Sequence, residues 1–282
     1  MSGANAKGLD KSPKVCPARN KISCFIKIYD RFSWFFGLDM LPASVYARAM
    51  LKRTQDRKTA NLASPNGRQS KIANAFSLPA GRDYSCPGAT DFCNSICYAG
   101  KLERIYKGFR EVVLHNWNTL KDMSILNMAI ELSDMIDAFR ADCDKWDAPK
   151  AFRIHADGDF FNMEYVQAWA NVIQTNPDIQ FWAYTRVDYA ATWLNDCAFP
   201  NLGLYFSANP DNLATAKAME SLGIRIAMVD KSFALARDAF KGARCPEQNG
   251  ALNIISDKGG ACLSCGLCVN GRANVLFSTS KK

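Results

Sequence analysis

Histidine is scarce in this sequence, with only His115 and His155 among 282 residues. Zinc sites use four Cys or His ligands, commonly in paired Cys-x2-Cys spacing or completed by histidines. The sequence therefore offers little material for mixed histidine–cysteine zinc motifs. It also lacks a Walker loop and a glycine-rich dinucleotide fingerprint after any predicted strand, which argues against a nucleotide-binding protein.

Long uninterrupted apolar runs are also missing. The most apolar stretch, residues 22–41, is interrupted by Lys27, Asp30, Arg31 and Asp39. That is too much charge for a bilayer span, so a packed N-terminal helix is the simpler interpretation. The first 14 residues are polar and lack the apolar core of a secretion signal. We therefore expect a cytoplasmic protein that has no contact with a membrane.

Cysteine, by contrast, is abundant, with eleven in the chain. Cysteines stay reduced in the cytosol, so clustered ones indicate metal binding rather than disulfides. Seven fall into two sets, which we name the first set (Cys86, Cys93, Cys97) and the second set (Cys245, Cys262, Cys265, Cys268). The isolated ones are interpreted as ordinary thiols, although either of the first two could be a distant ligand: Cys16, Cys24, Cys143 and Cys197.

The first set has the spacing Cys-x6-Cys-x3-Cys between Cys86 and Cys97. Iron–sulfur clusters are held by cysteine thiolates, so three thiolates in one loop can hold three irons of a [4Fe–4S] cluster. The fourth iron is left for a substrate, a cofactor or a distant residue. The alternatives are a zinc site and three buried cysteines without a ligand.

The second set contains the run Cys262-Leu263-Ser264-Cys265-Gly266-Leu267-Cys268. This Cys-x2-Cys-x2-Cys spacing is typical of bacterial ferredoxins, and Cys245 upstream can supply a fourth thiolate. Four thiolates saturate a cluster, which predicts a role in electron transfer or in structural stapling. A zinc site of four cysteines remains the alternative.

Strand and helix patterns alternate from residue 72 onward, which predicts right-handed βαβ units and a parallel sheet. The absence of nucleotide fingerprints favours a full or partial (βα) barrel over an open doubly wound sheet. We expect an N-terminal helical and basic extension (1–70), a barrel core (71–244) and a C-terminal cluster segment (245–282). The predicted strands are 72–78, 151–155, 179–185, 202–207 and 224–229, and the clearest predicted helices are 125–139, 163–175, 211–222 and 232–241.

The chain is basic, with 35 Lys and Arg against 27 Asp and Glu and a net charge of +8. This balance permits contact with nucleic acid. Part of the excess positive charge lies in one early segment of the chain. This segment lacks the interspersed aromatic residues of a surface that binds single-stranded nucleic acid, so we favour a solvated segment that leads into the fold. The residues concerned are Arg48, Lys52, Arg53, Arg57, Lys58, Arg68 and Lys71.

The first set, followed by βα units and ending in Cys97-Tyr98-Ala99, resembles the radical S-adenosylmethionine (SAM) superfamily. That resemblance implies an open iron that chelates SAM, an electron donor of the ferredoxin or flavodoxin type and an unknown substrate. It places the loop Asp157-Gly158-Asp159, with His155 before it, at the SAM amino group. It also places Ser207 and Asn209 near the ribose.

The superfamily's usual spacing, Cys-x3-Cys-x2-Cys, differs from the one found here, and its Gly-Gly-Glu stands where this chain has Asp-Gly-Asp. These differences motivate the alternative of a non-enzymatic iron–sulfur barrel for electron transfer, redox sensing or structure. A third alternative is a zinc-stabilised protein that binds nucleic acid.

Two strand-end side chains have their own interpretations. His155 could donate to a substrate or move a proton, because its pKa lies near neutrality, or it could be satisfied by backbone groups. Arg186 could bind a carboxylate or a phosphate in a bidentate manner, through two N–H donors of its guanidinium.

A second resemblance is to the phage "gene product 88" family, over roughly residues 70 to 278. It is carried by the Asn74–Gly81 segment, by Cys97-Tyr98-Ala99, by the His155–Phe160 segment and by the C-terminal cysteine run. It implies a phage or prophage origin and a location in the host cytoplasm. It implies no particular reaction, which must be inferred from the residues.

Overall fold

The computed structural model describes residues 50–59, 72–256 and 259–280. The predicted helix in residues 22–41 lies outside these ranges. So do Cys16 and Cys24, and so do three members of the basic segment, Arg48, Arg68 and Lys71.

The centre of the fold is a seven-stranded sheet in the order β1-β2-β3-β4-β5-β9-β6. Every neighbouring pair in it is parallel, which confirms the predicted parallel α/β arrangement. A short antiparallel pair, β7 with β8, lies outside this sheet. The strands are β1 (Ala75–Ser77), β2 (Ala151–Asp157), β3 (Gln180–Thr185), β4 (Leu202–Ala208), β5 (Arg225–Asp230), β6 (Ala243–Arg244), β7 (Ile255–Ser256), β8 (Gly259–Gly260) and β9 (Val275–Ser278).

Nine α-helices are described, and most of them connect successive strands. Because β1 to β5 follow chain order and parallel crossovers are nearly always right-handed, the connecting helices are expected on one face of the sheet. Consecutive helices pack on one another there, from α4 through α7. None of the described helices is long and apolar enough to cross a membrane. The helices are α1 (Asp91–Ile96), α2 (Tyr98–Ile105), α3 (Lys107–Leu120), α4 (Ile125–Trp146), α5 (Met163–Thr175), α6 (Asp188–Cys197), α7 (Leu213–Ser221), α8 (Phe233–Ala239) and α9 (Ala261–Cys265).

The core between sheet and helices is aromatic. Trp169 of α5 is fully buried, and its ring lies 6.1 Å from that of Phe76, 6.3 Å from Phe152 and 6.4 Å from Phe181. Phe76, Phe152 and Phe181 belong to β1, β2 and β3, so one helix contacts three neighbouring strands. Such aromatic contacts add to the large apolar area that each ring buries.

The opposite face of the sheet is covered by the C-terminal segment. Trp182 and Tyr184 alternate with the helix-facing residues of β3, and they pack in clusters with Val269 and three of the second-set cysteines, Cys245, Cys262 and Cys268. The hydroxyl of Tyr205 donates to the carbonyl oxygens of Leu267, at 3.1 Å, and of Ala273, at 3.0 Å. The residues between β6 and β9 therefore form the second layer over the sheet, on the face away from the helices.

The sheet is open, so the full barrel among the predicted alternatives does not form within residues 72–280. Its terminal strands, β1 and β6, have three and two residues and do not pair with each other in the described chain. A (βα) barrel closes with eight strands of consistent tilt, which seven strands with such short edges do not supply. The partial barrel remains a prediction.

The connection that carries the first set contains helix α1 and leads directly into α2, two helices that sequence periodicity did not predict. Thr90 caps α1 by accepting from the Cys93 amide at 3.1 Å, and the Cys97 sulfur accepts from the Gly100 amide at 3.4 Å at the start of α2. Helices α1 and α2 have only six and eight residues. Short helices of this kind depend on capping and tertiary contacts more than on an apolar stripe.

Helix α5 follows the loop Asp157-Gly158-Asp159, which we call the acidic loop, and its N-terminal cap is an asparagine. The Asn162 side chain accepts from the Tyr165 amide at 2.8 Å. We expect Asn162→Ala to lower the free energy of unfolding by about 1 kcal/mol in urea titrations, because one helix amide loses its partner. Asn127→Ala, at an exposed position inside α4, is the matched control and should change stability by less than about 0.5 kcal/mol. Equal effects of the two substitutions would contradict the capping role.

Candidate functional site

The first set lies in the connection that follows β1. After Pro79 the chain turns, and the Cys86 amide donates to the Gly81 carbonyl at 3.0 Å. Gly88 then passes the end of β3 so closely that a Cβ on it would stand 2.6 Å from the carbonyl oxygen of Arg186. The first set therefore lies over the carboxyl ends of the parallel strands.

The thiols of the first set are neighbours. Burial raises the pKa of Cys86 to about 12, and the charges of Asp159 and Cys93 add to the effect. Burial also raises the pKa of Cys93, where Arg186 opposes the shift and Cys97 adds to it. Because buried thiols resist ionisation, binding of a metal here would have to release their protons.

The second set gathers on the inner face of the sheet, the face away from the helices. Burial raises the pKa of Cys268 to about 11, and the charges of Cys245 and Cys265 add to the effect. Burial raises the pKa of Cys262 to about 12, with a contribution from Cys268. Cys245, Cys262 and Cys265 are therefore each close enough to Cys268 for an electrostatic interaction.

A left-handed glycine shapes the second set. Helix α9 carries Cys262 and Cys265 and ends at Gly266, whose φ is +65°. Glycine adopts this conformation without strain, and it reverses the chain directly after a helix. Cys268 is thereby brought back toward the other thiols of the set.

Neither set is arranged as a site for a single ion. Within residues 50–59, 72–256 and 259–280, no three His, Cys, Asp or Glu side chains are placed to hold one metal ion. The thiolates of a cubane bind different irons, so a cluster does not need them to converge on one point. The donors themselves fit: four half-buried thiols in the second set suit a saturated [4Fe–4S] cluster, and three in the first set would leave one iron of such a cluster free.

The predicted acidic loop begins at a bulge in β2. Ala75 pairs with Arg153 and Ser77 pairs with Asp157, so β2 uses two more residues than β1 over this stretch. His155 lies in the bulge with a φ of +60°, a conformation that is uncommon outside glycine and is often found at functional sites.

The imidazole of His155 is buried against α5 rather than satisfied by backbone. Its Nε2 lies 3.0 Å from the hydroxyl of Tyr165, and its ring packs edge-on against Phe160. Burial, with Arg153 adding, lowers the pKa of His155 to about 3, so the ring is neutral.

Asp159 and Asp157 have different surroundings. The Asp159 carboxylate accepts from the Thr185 hydroxyl at 2.6 Å and from the Arg186 amide at 2.8 Å, which joins the ends of β2 and β3. Burial nonetheless raises the pKa of Asp159 to about 6. Burial raises the pKa of Asp157 to about 7, with Arg153 opposing the shift. Neither acid caps the helix that follows, because its cap is Asn162.

Gly158, between the two acids, touches the connection that carries the first set. Its φ is +89°, and a Cβ would stand 2.6 Å from the Ser85 hydroxyl and 2.7 Å from the Leu78 Cβ. The acidic loop and the first cysteine loop are therefore in direct contact. Glycine is needed here both for backbone conformation and for close approach.

The predicted ribose contacts lie at the end of β4. Ser207 is half-buried, and its carbonyl accepts from the Asn212 side chain at 3.0 Å. Asn209 is fully buried and donates to the Thr90 hydroxyl at 2.9 Å. Because Thr90 also caps the helix that carries Cys93, Asn209 holds the first cysteine loop against β4.

Arg153 is a functional candidate that sequence reasoning missed. Its Nη1 donates to Asp56 at 2.7 Å, its Nη2 donates to the Tyr98 hydroxyl at 3.3 Å, and its guanidinium lies 5.5 Å from the Tyr184 ring centroid. The sequence did carry one signal for this residue, a charged side chain within a predicted buried strand. Such charges are almost never buried unless they are paired.

The basic segment is partly used inside the fold. Lys58 forms an ion pair with Glu247 at 2.7 Å, and Arg53 forms one with Asp142 at 2.6 Å. Lys58 also lies close enough to Cys245 and Cys262 for an electrostatic interaction with each of them. The described part of this segment is therefore partly docked on the protein, while its other two described basic residues are exposed.

Several polar atoms near these residues are buried without a hydrogen-bond partner. They lie on β2 and at the end of β3, close to the first cysteine loop. Each costs free energy unless something pairs with it, so such a concentration points to a ligand or to bound water. Among the described residues, the atoms at this edge are Arg153 Nε, His155 Nδ1, Asp157 Oδ1 and Arg186 Nε.

The model of the Gene product 88 family matches residues 49–271, which is most of the chain. Among the described strands and helices, only β9 lies beyond the match. The chain belongs to the Gene product 88 family. The match includes both cysteine sets and confirms the predicted resemblance to this phage family. No solved structure matches the chain.

Two Gene product 88 relatives are each called Gene 88 protein. The one from Mycobacterium phage L5 is 52% identical over 238 residues, which is 83% of this chain and all of the relative. The one from Mycobacterium phage D29 is 51% identical over 239 residues, with the same coverage. Both are phage proteins, in agreement with the phage assignment. The radical SAM resemblance has no counterpart among these matches and remains a prediction.

Proposed function

We propose that this Gene product 88 protein is an iron–sulfur protein with two sites. The second set, Cys245, Cys262, Cys265 and Cys268, binds all four irons of one [4Fe–4S] cluster, which we call the second cluster. The first set binds another [4Fe–4S] cluster with one open iron, which we call the first cluster. The observation that carries the proposal is the gathering of four half-buried thiols, from separate stretches of chain, on the inner face of the sheet.

The surroundings of the second set suit a negatively charged group. Four thiolates bring negative charge into a partly buried place, where Coulomb interactions are stronger than in water. Lys58 and Arg153 both lower the pKa of Cys262, and the Tyr184 hydroxyl lowers that of Cys268 by hydrogen bonding. Such outer contacts orient ligands and tune a metal site.

The first site is proposed to bind a small zwitterion at the open iron, with SAM as the leading candidate. A cubane with an open iron can supply one electron to a ligand that it holds. Asp157 has a buried oxygen without a partner in the described chain and would accept from an amine, and Arg186 would bind a carboxylate. Ser207, at the end of β4, would contact a ribose hydroxyl.

On this proposal the protein is a radical SAM-like enzyme. It would need a low-potential one-electron donor of the ferredoxin or flavodoxin type, and its substrate is unknown. A location in the host cytoplasm suits sites built from free thiols, which oxidise elsewhere.

We expect SAM to change the EPR signal of the first cluster in anaerobically reconstituted, dithionite-reduced protein, and to yield 5′-deoxyadenosine. Asp157→Asn should weaken SAM binding, because an amide cannot offer the same charge to an amine. Asp238→Asn on α8 is the matched control and should bind as the unaltered protein does. An unchanged signal, together with no 5′-deoxyadenosine, would end the SAM proposal.

A non-enzymatic iron–sulfur protein, used in electron transfer, redox sensing or structure, is the second candidate. It is favoured by Asp159, since both carboxylate oxygens already accept from Thr185, Phe160 and Arg186. It predicts two clusters whose spectra do not respond to SAM. The zinc-stabilised, nucleic-acid-binding alternative has less support, because Arg53 and Lys58 are engaged in internal ion pairs.

A further inference from the structure

Arg153 touches residues that belong to both cysteine sites. Toward the first site, its Nη2 donates to the hydroxyl of Tyr98, which directly follows Cys97. Toward the second, its guanidinium lies over the ring of Tyr184, which packs beside Cys268. One half-buried cation therefore stands between the two sites.

Tyr98 belongs to the first site alone. The residue is 54% exposed, but its hydroxyl points inward and donates to the Ala156 carbonyl at 2.5 Å. With the bond from Arg153, this hydroxyl ties α2 and Cys97 to β2. Loss of the hydroxyl would release the first cysteine loop without changing any charge at the second site.

Lys58 belongs to the second site alone. The short turn at residues 57–59 packs on α9 and β8 and covers the second set. Lys58 Nζ bonds Glu247 at 2.7 Å and lies near Cys245 and Cys262. Asp56, on the same segment, pairs with Arg153 at 2.7 Å and acts as the negative neighbour of Cys262.

We propose that Arg153 couples the two sites, anchoring the first cysteine loop through Tyr98 while its charge raises the reduction potential of the second cluster. The inference rests on the proposed iron–sulfur function. Reduction adds negative charge to a cluster, so a nearby cation stabilises the reduced form. Net charge, hydrogen bonds to sulfur and solvent exposure set the potentials of such clusters. Arg153 is thus a positioning residue that acts through Tyr98 at one site and through its field at the other.

The test compares four variants and one control variant of the full chain after anaerobic reconstitution. Two quantities are measured, the midpoint potential of the second cluster by EPR-monitored titration with dithionite and the rate at which a chelator removes iron from the first. The signals are assigned with the triple variant Cys86→Ala, Cys93→Ala, Cys97→Ala.

Each variant has its own expected pattern. Arg153→Gln lowers the potential and speeds iron loss, Lys58→Met lowers the potential only, and Tyr98→Phe speeds iron loss only, by roughly tenfold. Asp56→Asn raises the potential, because it removes a negative charge next to Cys262. Lys107→Met, on the exposed surface of α3, changes neither quantity.

Arg153→Gln leaves Asp56 buried without its partner and could unfold the protein, so Asp56→Asn and Tyr98→Phe decide the matter in that case. An unchanged or lower potential in Asp56→Asn, or unchanged iron loss in Tyr98→Phe, overturns the coupling. A folded Arg153→Gln variant in which only one quantity changes overturns it as well. Absence of iron from the unaltered protein would instead overturn the proposed function itself.

Discussion

We expect Gly203→Ala to abolish the second cluster while the first remains. Gly203 lies in β4 beneath the C-terminal segment, where a Cβ would stand 2.4 Å from the Cys268 carbonyl oxygen and 2.7 Å from that of Val269. Both are backbone atoms, so the segment cannot yield by turning a side chain. Densely packed interiors transmit such strain rather than absorb it. The iron content should fall from about eight to about four per chain.

The effect of Gly203→Ala is steric rather than conformational, since Gly203 is outside the group of glycines with positive φ. Gly108→Ala in α3 is the matched control, because a Cβ there meets no atom of the described residues within 4 Å. It should keep full iron content and be slightly more stable, as alanine favours helix. Retention of about eight irons by Gly203→Ala would show that the second set does not bind its cluster on this face of the sheet.

Gly88→Ala is the reciprocal change, and we expect it to abolish the first cluster while the second remains. A Cβ on Gly88 would stand 2.6 Å from the carbonyl oxygen and 2.9 Å from the carbonyl carbon of Arg186. The first cysteine loop would be pushed away from the end of β3, separating Cys86 from Cys93. Iron analysis should again give about four per chain, now with the EPR signal of the second cluster.

The two glycine variants together separate the sites. If Gly88→Ala removed the second cluster instead, the first loop and the C-terminal segment would have to be one folding unit. Far-UV circular dichroism of both variants provides the control for folding, because the parallel sheet and helices α4 to α7 do not depend on either loop for their own backbone hydrogen bonds.

Local patterns in the sequence predicted the regular elements well. Helix α5 was predicted at residues 163–175 and has those bounds, because Val166, Trp169 and Ile173 repeat at helical spacing after the cap Asn162. The strands of β2 to β5 were predicted to within about two residues. Alternation of the two element types also implied parallel pairing, since crossover connections demand it.

The arrangement of distant segments was beyond such patterns. Strand β9 has four residues and lies between β5 and β6, so its pairing depends on contacts with residues far away in sequence. The C-terminal cluster segment was predicted without a packing partner, but it covers the inner face of the sheet. Nothing in the spacing of Cys262 to Cys268 encodes the surface against which it packs.

The candidate site was predictable only in its donors. The cysteines and the Asp157–Asp159 loop carry recognisable chemistry, and the structure brings the loop against the first set through Gly158. Arg153, Lys58 and Tyr184 carry no motif, because each acts through a partner supplied by another segment. Their roles follow from burial and distance, which a single sequence does not contain.

The most direct test of the two-cluster account is an iron, sulfide and zinc analysis of protein purified without oxygen. The account predicts a brown protein with about eight irons and about eight sulfides per chain and no stoichiometric zinc. A colourless protein, or one that holds zinc in place of iron, would contradict it.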